Sequence, residues 1–330
     1  VEHRILGLTG AEVSVVGLGT WQLGADWGDV STDDALSLLA EAQAGGVTFF
    51  DTADVYGDGR SEALIGRYLR TTPSPRPFVA TKMGRRAVQV RTSYSWDNFR
   101  IWTDRSRENL GVDTLDLVQL HCPPSDVIES GEVYDNLDRL VQEGRIAHYG
   151  VSVETCEQAL AAMERPHLAT VQIILNVFRR KPLDKVLPAA AAKGVGIIAR
   201  VPLASGLLSG RYTAETTFAP TDHRNYNRDG ASFDVGETFS GVDYDDGVRA
   251  AADFTALCRE LGPVGASPAQ VALRWIIDRG VTTVIPGARN TDQARSNAEA
   301  AALPPLGDEL DTALAELYDR WFRAAVHHRW

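Results

Sequence analysis

Four ionisable side chains stand where strand-like apolar runs give out. "VTFFDTADVYG" (47–57) ends its run at Asp51 and places Tyr56 in the turn that follows. "VATKMG" (79–84) carries Lys82, and "LVQLHC" (117–122) carries His121. Singly, each has an ordinary reading: a capping Asp, a solvated Lys, a satisfied His, a packing Tyr. Together, at the ends of three successive strands, they make a chemical set. An ammonium inside an apolar wall needs a counter-charge, and Asp51 supplies one to Lys82. A phenol titrates near pKa ~10 in water, and a nearby ammonium lowers that value. Tyr56 is therefore expected to act as a general acid near neutral pH toward an oxygen that gains charge, with His121 donating a hydrogen bond to the same oxygen. The set has no nucleophile and no metal-ligand spacing, so no metal is expected. The attacking group must come from elsewhere, and hydride from a nicotinamide suits a carbonyl carbon.

Such residues must be held on neighbouring strands. Eight apolar runs recur along the chain, at 13–19, 47–53, 77–83, 115–121, 148–153, 170–177, 195–203 and 282–287. Between them lie helical patterns at 32–45, 61–70, 99–111, 133–144, 156–165 and 267–280. Strands alternating with helices predict a parallel sheet, and eight such units predict a closed (β/α)8 TIM barrel, whose chemistry sits at the C-terminal ends of the strands. The competing open, doubly wound sheet would carry a glycine fingerprint after its first strand, but "GLGT" (17–20) has no third glycine opening a helix. Residues 212–246 break the alternation. They form a long loop after strand seven, with little apparent apolar area to offset ordering entropy. The loop is expected to be partly mobile without ligand and to cover the site when ligand binds.

The totals narrow the class. The chain has 330 residues, 44% hydrophobic and 23% charged, which suits one barrel domain over 1–330 with a C-terminal extension. A formal charge of −11 argues against a nucleic-acid or anionic-membrane partner. Three widely spaced cysteines, Cys122, Cys156 and Cys258, suggest neither a disulfide framework nor a zinc site. No apolar run approaches a membrane span, and the first residues do not read as a signal peptide. A reducing cytoplasm is the expected location. Only four of the 33 basic residues are lysine, so a lysine kept at position 82 points to a role for a compact charge.

"DTADVYG", "ATKMG" and "LVQLHCP", in this order and spacing, resemble the aldo-keto reductase family. The resemblance runs from "GLGTWQLG" (17–24) to "VIPGARN" (284–290), and the closing "HHRW" (327–330) resembles a bacterial branch. It implies that Asp51, Tyr56, Lys82 and His121 are a catalytic tetrad, with Tyr56 the acid in reduction and the base in alcohol oxidation. It implies NADP(H), bound across the barrel mouth, and a small carbonyl substrate. Ser152 and Gln172 would hold the nicotinamide amide. In "VPLASGLLSG" (201–210), Pro202, Leu203, Ser205, Gly206 and Leu208 would follow the pyrophosphate. Beyond the last strand lie Gly287 and Arg289, the latter placed like the family residue that pairs with an adenosine 2′-phosphate. Gln293 and Asn297 would hold the adenine end. Arg200 stands where many relatives place an aromatic, leaving a guanidinium to stack on the nicotinamide or to reach the phosphates. Trp21, Trp27, Trp96, Tyr226 and residues 327–330 are candidate pocket walls. The rival reading from another class is a regulatory protein on the same barrel, like the β-subunits of potassium channels. Turnover of a simple aldehyde separates the two.

Overall fold

Side chains two residues apart line the inside of a curled parallel sheet in the computed structural model, which describes residues 1–24, 30–72 and 74–330. An antiparallel pair comes first, β1 (His3–Ile5) with β2 (Glu12–Ser14). The barrel strands are β3 (Leu18–Gly19), β4 (Phe49–Asp51), β5 (Phe78–Met83), β6 (Leu115–His121), β7 (Ile146–Ser152), β8 (Thr170–Ile174), β9 (Gly196–Arg200) and β10 (Thr283–Val284). They pair in sequence order, all parallel. Parallel bridges Val16 to Val284 and Gly19 to Gly287 join the last strand to the first and close the ring. The expected (β/α)8 architecture is the observed one.

The outer layer holds α1 (Thr32–Ala44), α2 (Arg60–Thr71), α3 (Trp96–Leu110), α4 (Ser125–Ile128), α5 (Gly131–Gln142), α6 (Cys156–Ala162) and α7 (Pro182–Lys193). Then come α8 (His223–Tyr226), α9 (Tyr244–Leu261), α10 (Pro268–Asp278), α11 (Thr291–Glu299), α12 (Asp308–Trp321) and α13 (Arg323–Val326). Local signals set many of their ends. Thr155 with Gln158, and Ser267 with Gln270, form reciprocal capping boxes that begin α6 and α10. The sequence reading missed α7, where Pro188 interrupts the periodic pattern, and also α9 and α12.

The barrel interior explains where the polar groups sit. Leu6, Val13, Phe49, Ala80, Leu117, Ile198 and Ile285 form one buried cluster inside the ring. Leu6 and Val13 come from the β1–β2 hairpin, so residues 13–14, expected as the start of the first barrel strand, instead belong to a hairpin packed into this cluster. Two residues beyond Phe49, Ala80, Leu117 and Ile198 stand Asp51, Lys82, Gln119 and Arg200. Strand side chains alternate with a period of two, so these four follow the apolar layer toward the C-terminal mouth.

The 212–246 segment, expected to be poor in apolar area, gathers more of it than its composition suggests. It carries α8 and two short 3-10 turns, Val235–Glu237 and Phe239–Gly241. Its rings pack on one another: Tyr212 on Phe218 at 5.3 Å, Phe218 on Phe239 at 5.8 Å, Phe239 on Tyr244 at 5.0 Å. The C-terminal Trp330 donates from Nε1 to Asp234 at 3.1 Å and lies under the Arg179 guanidinium at 4.1 Å. Its indole also fills the space beside Gly236 and Gly241. Composition alone hid this apolar area because the rings are scattered among polar residues and gather only in three dimensions. Among the described residues, no helix is long and apolar enough to cross a membrane.

Candidate active site

Asp51 ends β4 and Lys82 lies near the end of β5, the strand paired with it. Lys82 Nζ donates to Asp51 Oδ1 at 2.5 Å and to the Thr52 carbonyl at 3.0 Å. The other carboxylate oxygen, Asp51 Oδ2, accepts from Gln172 Nε2 at 2.8 Å and from Gln119 Nε2 at 3.2 Å. Lys82 is 1% exposed and Asp51 2%, so neither charge is relieved by water. Burial opposes the ammonium, yet Asp51 and Tyr56 together raise its pKa above the ordinary lysine value. Lys82 is a cation at any physiological pH.

Tyr56 reaches back over this pair. Its hydroxyl is 3.4 Å from Lys82 Nζ, and the ammonium lies 5.1 Å from the ring centroid. The turn that places it runs through Gly57, Asp58 and Gly59, all at positive φ, before α2 begins at Arg60. A Cβ on Gly57 would meet the Gly24 carbonyl oxygen at 2.4 Å, and one on Gly24 would meet the Gly57 nitrogen at 2.7 Å. The two backbones therefore touch, and the turn at Trp21–Gly24 is seated against the tyrosine loop. Trp21 stacks on Tyr56 with ring centroids 6.0 Å apart. Burial pushes the phenol above its usual value. Lys82 pulls the other way, while Asp51 and Glu237 add to the rise. The expected lowering is thus overturned: the lysine charge is largely answered by Asp51, and the cost of a buried phenolate prevails. Tyr56 is a neutral phenol across the physiological range.

His121 ends β6, its ring edge-on to Tyr56 at 6.0 Å. Burial, reinforced by Arg85, Lys82 and Arg200, holds the imidazole well below the ordinary histidine pKa, so it is neutral. Arg85 Nη1 lies 3.3 Å from His121 Nε2. A guanidinium can only donate, so Nε2 accepts here and Nδ1, buried without a partner, carries the proton. The hydrogen bond expected from His121 toward a substrate oxygen is therefore not offered by Nε2 in this arrangement. It requires Arg85 to turn aside and the imidazole proton to change nitrogen.

Arg85, Gln119, Glu154 and Glu237 were missed from sequence. Gln119 lay two residues before His121, on the same strand face, and that spacing was the available signal. Arg85 follows Gly84, whose φ of 103° turns the chain after β5. Glu237 had no local signal. It arrives from the long loop and meets Arg85 Nη2 at 2.9 Å and Arg200 Nη1 at 3.8 Å. Arg200 also donates to the Val153 carbonyl and to Glu154 Oε2, each at 3.1 Å. Burial drives the Glu154 carboxyl up to about 7, whereas Arg85 and Arg200 overcome burial to hold Glu237 well below the carboxylate range. The ligating atoms of Cys122, Glu154 and Glu237 lie within 4.8 Å of one another. Two guanidiniums share that cluster, and burial pushes the Cys122 thiol up to about 12. Neither feature suits a metal cation.

The residues expected at the cofactor lie around the same mouth. Gln172 engages Asp51, as described. Ser152 is fully buried, its hydroxyl 3.4 Å from Cys122 Sγ. Arg200 is ion-paired with Glu154 and Glu237. The turn after β9 runs through Pro202 and Leu203 into Ser205 and Gly206, with left-handed φ at Val201, Ala204, Ser205 and Gly206. Leu208 is buried behind it. Ser205 Oγ accepts from the Phe239 amide at 3.0 Å and donates to the Glu237 carbonyl at 3.3 Å, stitching the loop to this turn. At the other end, Arg289 is exposed just before α11, its amide donating to Gln293 Oε1 at 2.9 Å and its guanidinium 3.6 Å from Asp222. Asn297 donates to the Gly287 carbonyl at 3.1 Å. Of the expected pocket walls, Trp21 borders Tyr56, and Tyr226 meets Phe233 edge-on at 6.2 Å. Trp96 instead lies under Arg139 of α5 at 3.8 Å. His327 pairs with Asp184 of α7 at 2.9 Å. Trp27 lies outside the described residues.

Comparison with known proteins places the chain in a family. A model of the aldo/keto reductase family matches residues 15–319. The chain is 36% identical to L-galactose dehydrogenase of Arabidopsis thaliana over 222 residues, 63% of this chain and 67% of that one. Among solved structures, the glycerol dehydrogenase of Gluconobacter oxydans superposes with a TM-score of 0.78 at 31% identity, covering 97% of this chain and 95% of the other. An aldo-keto reductase from Bacillus halodurans, in its holo form, does so at 0.74 and 25%, covering 96% of each chain. With a closed parallel barrel, an Asp–Lys–Tyr–His cluster at its mouth and a family match across nearly its whole length, this chain belongs to the aldo/keto reductase family.

Proposed function

We propose that the protein is an NADP(H)-dependent oxidoreductase that reduces an aldehyde or ketone to an alcohol, with the proton coming from Tyr56. One observation carries the reading. A neutral phenol sits 3.4 Å from an ammonium that is itself fixed by a carboxylate at 2.5 Å, with a neutral imidazole facing it. Two of the relatives above are dehydrogenases, which supports alcohol–carbonyl chemistry here. We also read the chain as one domain acting in the cytoplasm, on its charge and cysteine pattern.

The donor set fits a dinucleotide. Arg289 offers an exposed guanidinium at the N-terminus of α11, where a 2′-phosphate is suited. Gln22 Oε1, buried beside Gly287, has no partner, and neither has Arg200 Nε. Gln293 and Asn297 would hold the adenine end. The turn at Pro202, Leu203, Ser205, Gly206 and Leu208 would follow the pyrophosphate, and Ser152, Gln172 and Arg200 would border the nicotinamide. When bound, the reduced nicotinamide supplies hydride to the carbonyl carbon.

The chain's own residues do the rest. The carbonyl oxygen lies between the Tyr56 hydroxyl and the His121 edge. As that oxygen gains charge, the Tyr56 O–H bond breaks and the proton passes to it. The phenolate left behind is stabilised by Lys82, whose position Asp51, Gln172 and Gln119 secure. In the reverse direction, the phenolate takes the alcohol proton. The test is single-turnover reduction of a simple aldehyde with NADPH, in wild type and Tyr56→Phe. Cofactor affinity should be kept and reduction should fall by about 10² or more. Equal rates would remove Tyr56 from the chemistry and favour a regulatory protein on this barrel.

A further inference from the structure

Arg85 stands beside His121 at the barrel mouth, and the acid–base chemistry has no use for it. Nη1 lies 3.3 Å from His121 Nε2, on the imidazole that meets the Tyr56 ring edge-on at 6.0 Å. Nη2 donates to Glu237 Oε1 at 2.9 Å. The guanidinium lies 5.3 Å from the Phe233 ring, and Phe233 is 5.9 Å from Trp21, the ring stacked on Tyr56. A donor-only group and an acceptor-only group are thus held side by side, next to the place of the substrate oxygen and against an aromatic wall.

We propose that Arg85 and Glu237 form a subsite for a hydroxyl on the carbon next to the carbonyl, so that α-hydroxy aldehydes and ketones are the preferred substrates. This rests on the carbonyl-reductase reading above and names its substrate class. A hydroxyl has one donor and two acceptor sites, and it matches the pair on both sides. It accepts from Arg85, whose N–H leaves His121 Nε2, and donates to Glu237. The freed Nε2 can then carry the N–H that faces the carbonyl oxygen. One substrate feature thereby sets both the subsite and the imidazole. An alkyl group in the same place leaves a buried charge pair facing a methyl, the situation in which polar sites discriminate most strongly. A carboxylate there matches Arg85 but is set against Glu237, with Glu154 close by, so like charge disfavours it.

The experiment compares three aldehydes that differ only in the group beside the carbonyl: glycolaldehyde, its near-isostere propanal, and glyoxylate. The kcat/KM of each is measured with NADPH for wild type, Arg85→Leu and Glu237→Gln. Wild type should favour glycolaldehyde over propanal by about ten- to a hundredfold, the worth of hydrogen bonds to charged groups. That ratio should collapse toward one in Arg85→Leu. In Glu237→Gln the glycolaldehyde preference should fall while glyoxylate gains. A purely structural latch between loop and barrel would change all three substrates together and leave the ratios standing, which would overturn the proposal. So would a wild-type ratio near one, or glyoxylate as the best substrate. A binding measurement keeps the question separate from turnover. Ligand-observed NMR with NADP⁺ present should show ethane-1,2-diol bound in preference to propan-1-ol by wild type, with the preference lost in Arg85→Leu. If no aldehyde is turned over but the diol preference is seen, the reductase reading fails and the subsite stands. If the diol shows no preference, the subsite fails whatever the activity.

Discussion

Gln172 Nε2 donates to Asp51 Oδ2 at 2.8 Å, the oxygen that Lys82 does not take. A residue expected at the nicotinamide amide thus supports the buried ion pair beneath the reacting groups. Removing one partner from a buried charge costs more than the bond itself contributes. Gln172→Leu is expected to lower stability by about 1.5–3 kcal/mol in urea denaturation, and to lower the rate of hydride transfer at saturating cofactor. Unchanged stability would mean that Gln119 alone satisfies Oδ2.

The direction of the Tyr56 shift sets a pH profile. The protonated phenol is the acid, and its population falls only as pH rises through its pKa. Burial holds that pKa above 10.0, so single-turnover reduction should be flat through neutral pH and decline only at the alkaline end. Lys82→Met removes the influence that lowers the phenol pKa, so the decline should move further alkaline while the rate drops. A decline centred near pH ~7 would restore the lowered phenol expected from sequence.

Arg289 decides the cofactor prediction. It is exposed, and Asp222 at 3.6 Å already answers part of its charge. Arg289→Ala should weaken NADPH binding by about tenfold and leave NADH nearly unchanged in fluorescence titration. Asp222→Asn should act in the opposite sense, strengthening NADPH. Equal wild-type affinities for the two cofactors would sink the 2′-phosphate role.

The long loop should not exchange its amides uniformly. Residues 236–240 are buried and tied to Ser205, Asn176 and Trp330, whereas much of 213–221 is exposed. Hydrogen exchange of the protein without ligand should be slow in the first stretch and fast in the second. Trp330→Ala should speed exchange in 234–241, because the indole fills the space beside Gly236 and Gly241.

Asp54 offers a stability test outside the reacting groups. Both of its carboxylate oxygens are buried without a partner. Burial, with Glu62 adding and Arg86 and Arg105 opposing, raises its pKa from 3.8 to about 7. In the unfolded chain the group ionises from the lower value, while the folded protein keeps its proton until the higher one. Its contribution to stability therefore falls as pH rises between these values and levels off above them. Asp54→Asn should raise the free energy of unfolding by on the order of 1 kcal/mol or more at pH 8, with a higher melting temperature, and change both little at pH 4.

Sequence alone determined the barrel and the four groups at its mouth. The period-two runs and their intervening helices specify parallel strands, and strand ends are local facts of the chain. Asp51, Lys82 and His121 could therefore be placed on one rim before any coordinates. Tertiary structure decided what those groups experience. The Tyr56 pKa depends on how far burial outweighs a lysine that Asp51 has already neutralised. The His121 proton depends on Arg85, from a different strand end. Glu237 is more than a hundred residues further along the chain, and Trp330, at its last position, holds the loop that delivers it. Electrostatic and packing energies fall off with distance in space, not in sequence, so these partners left no signal in the local pattern.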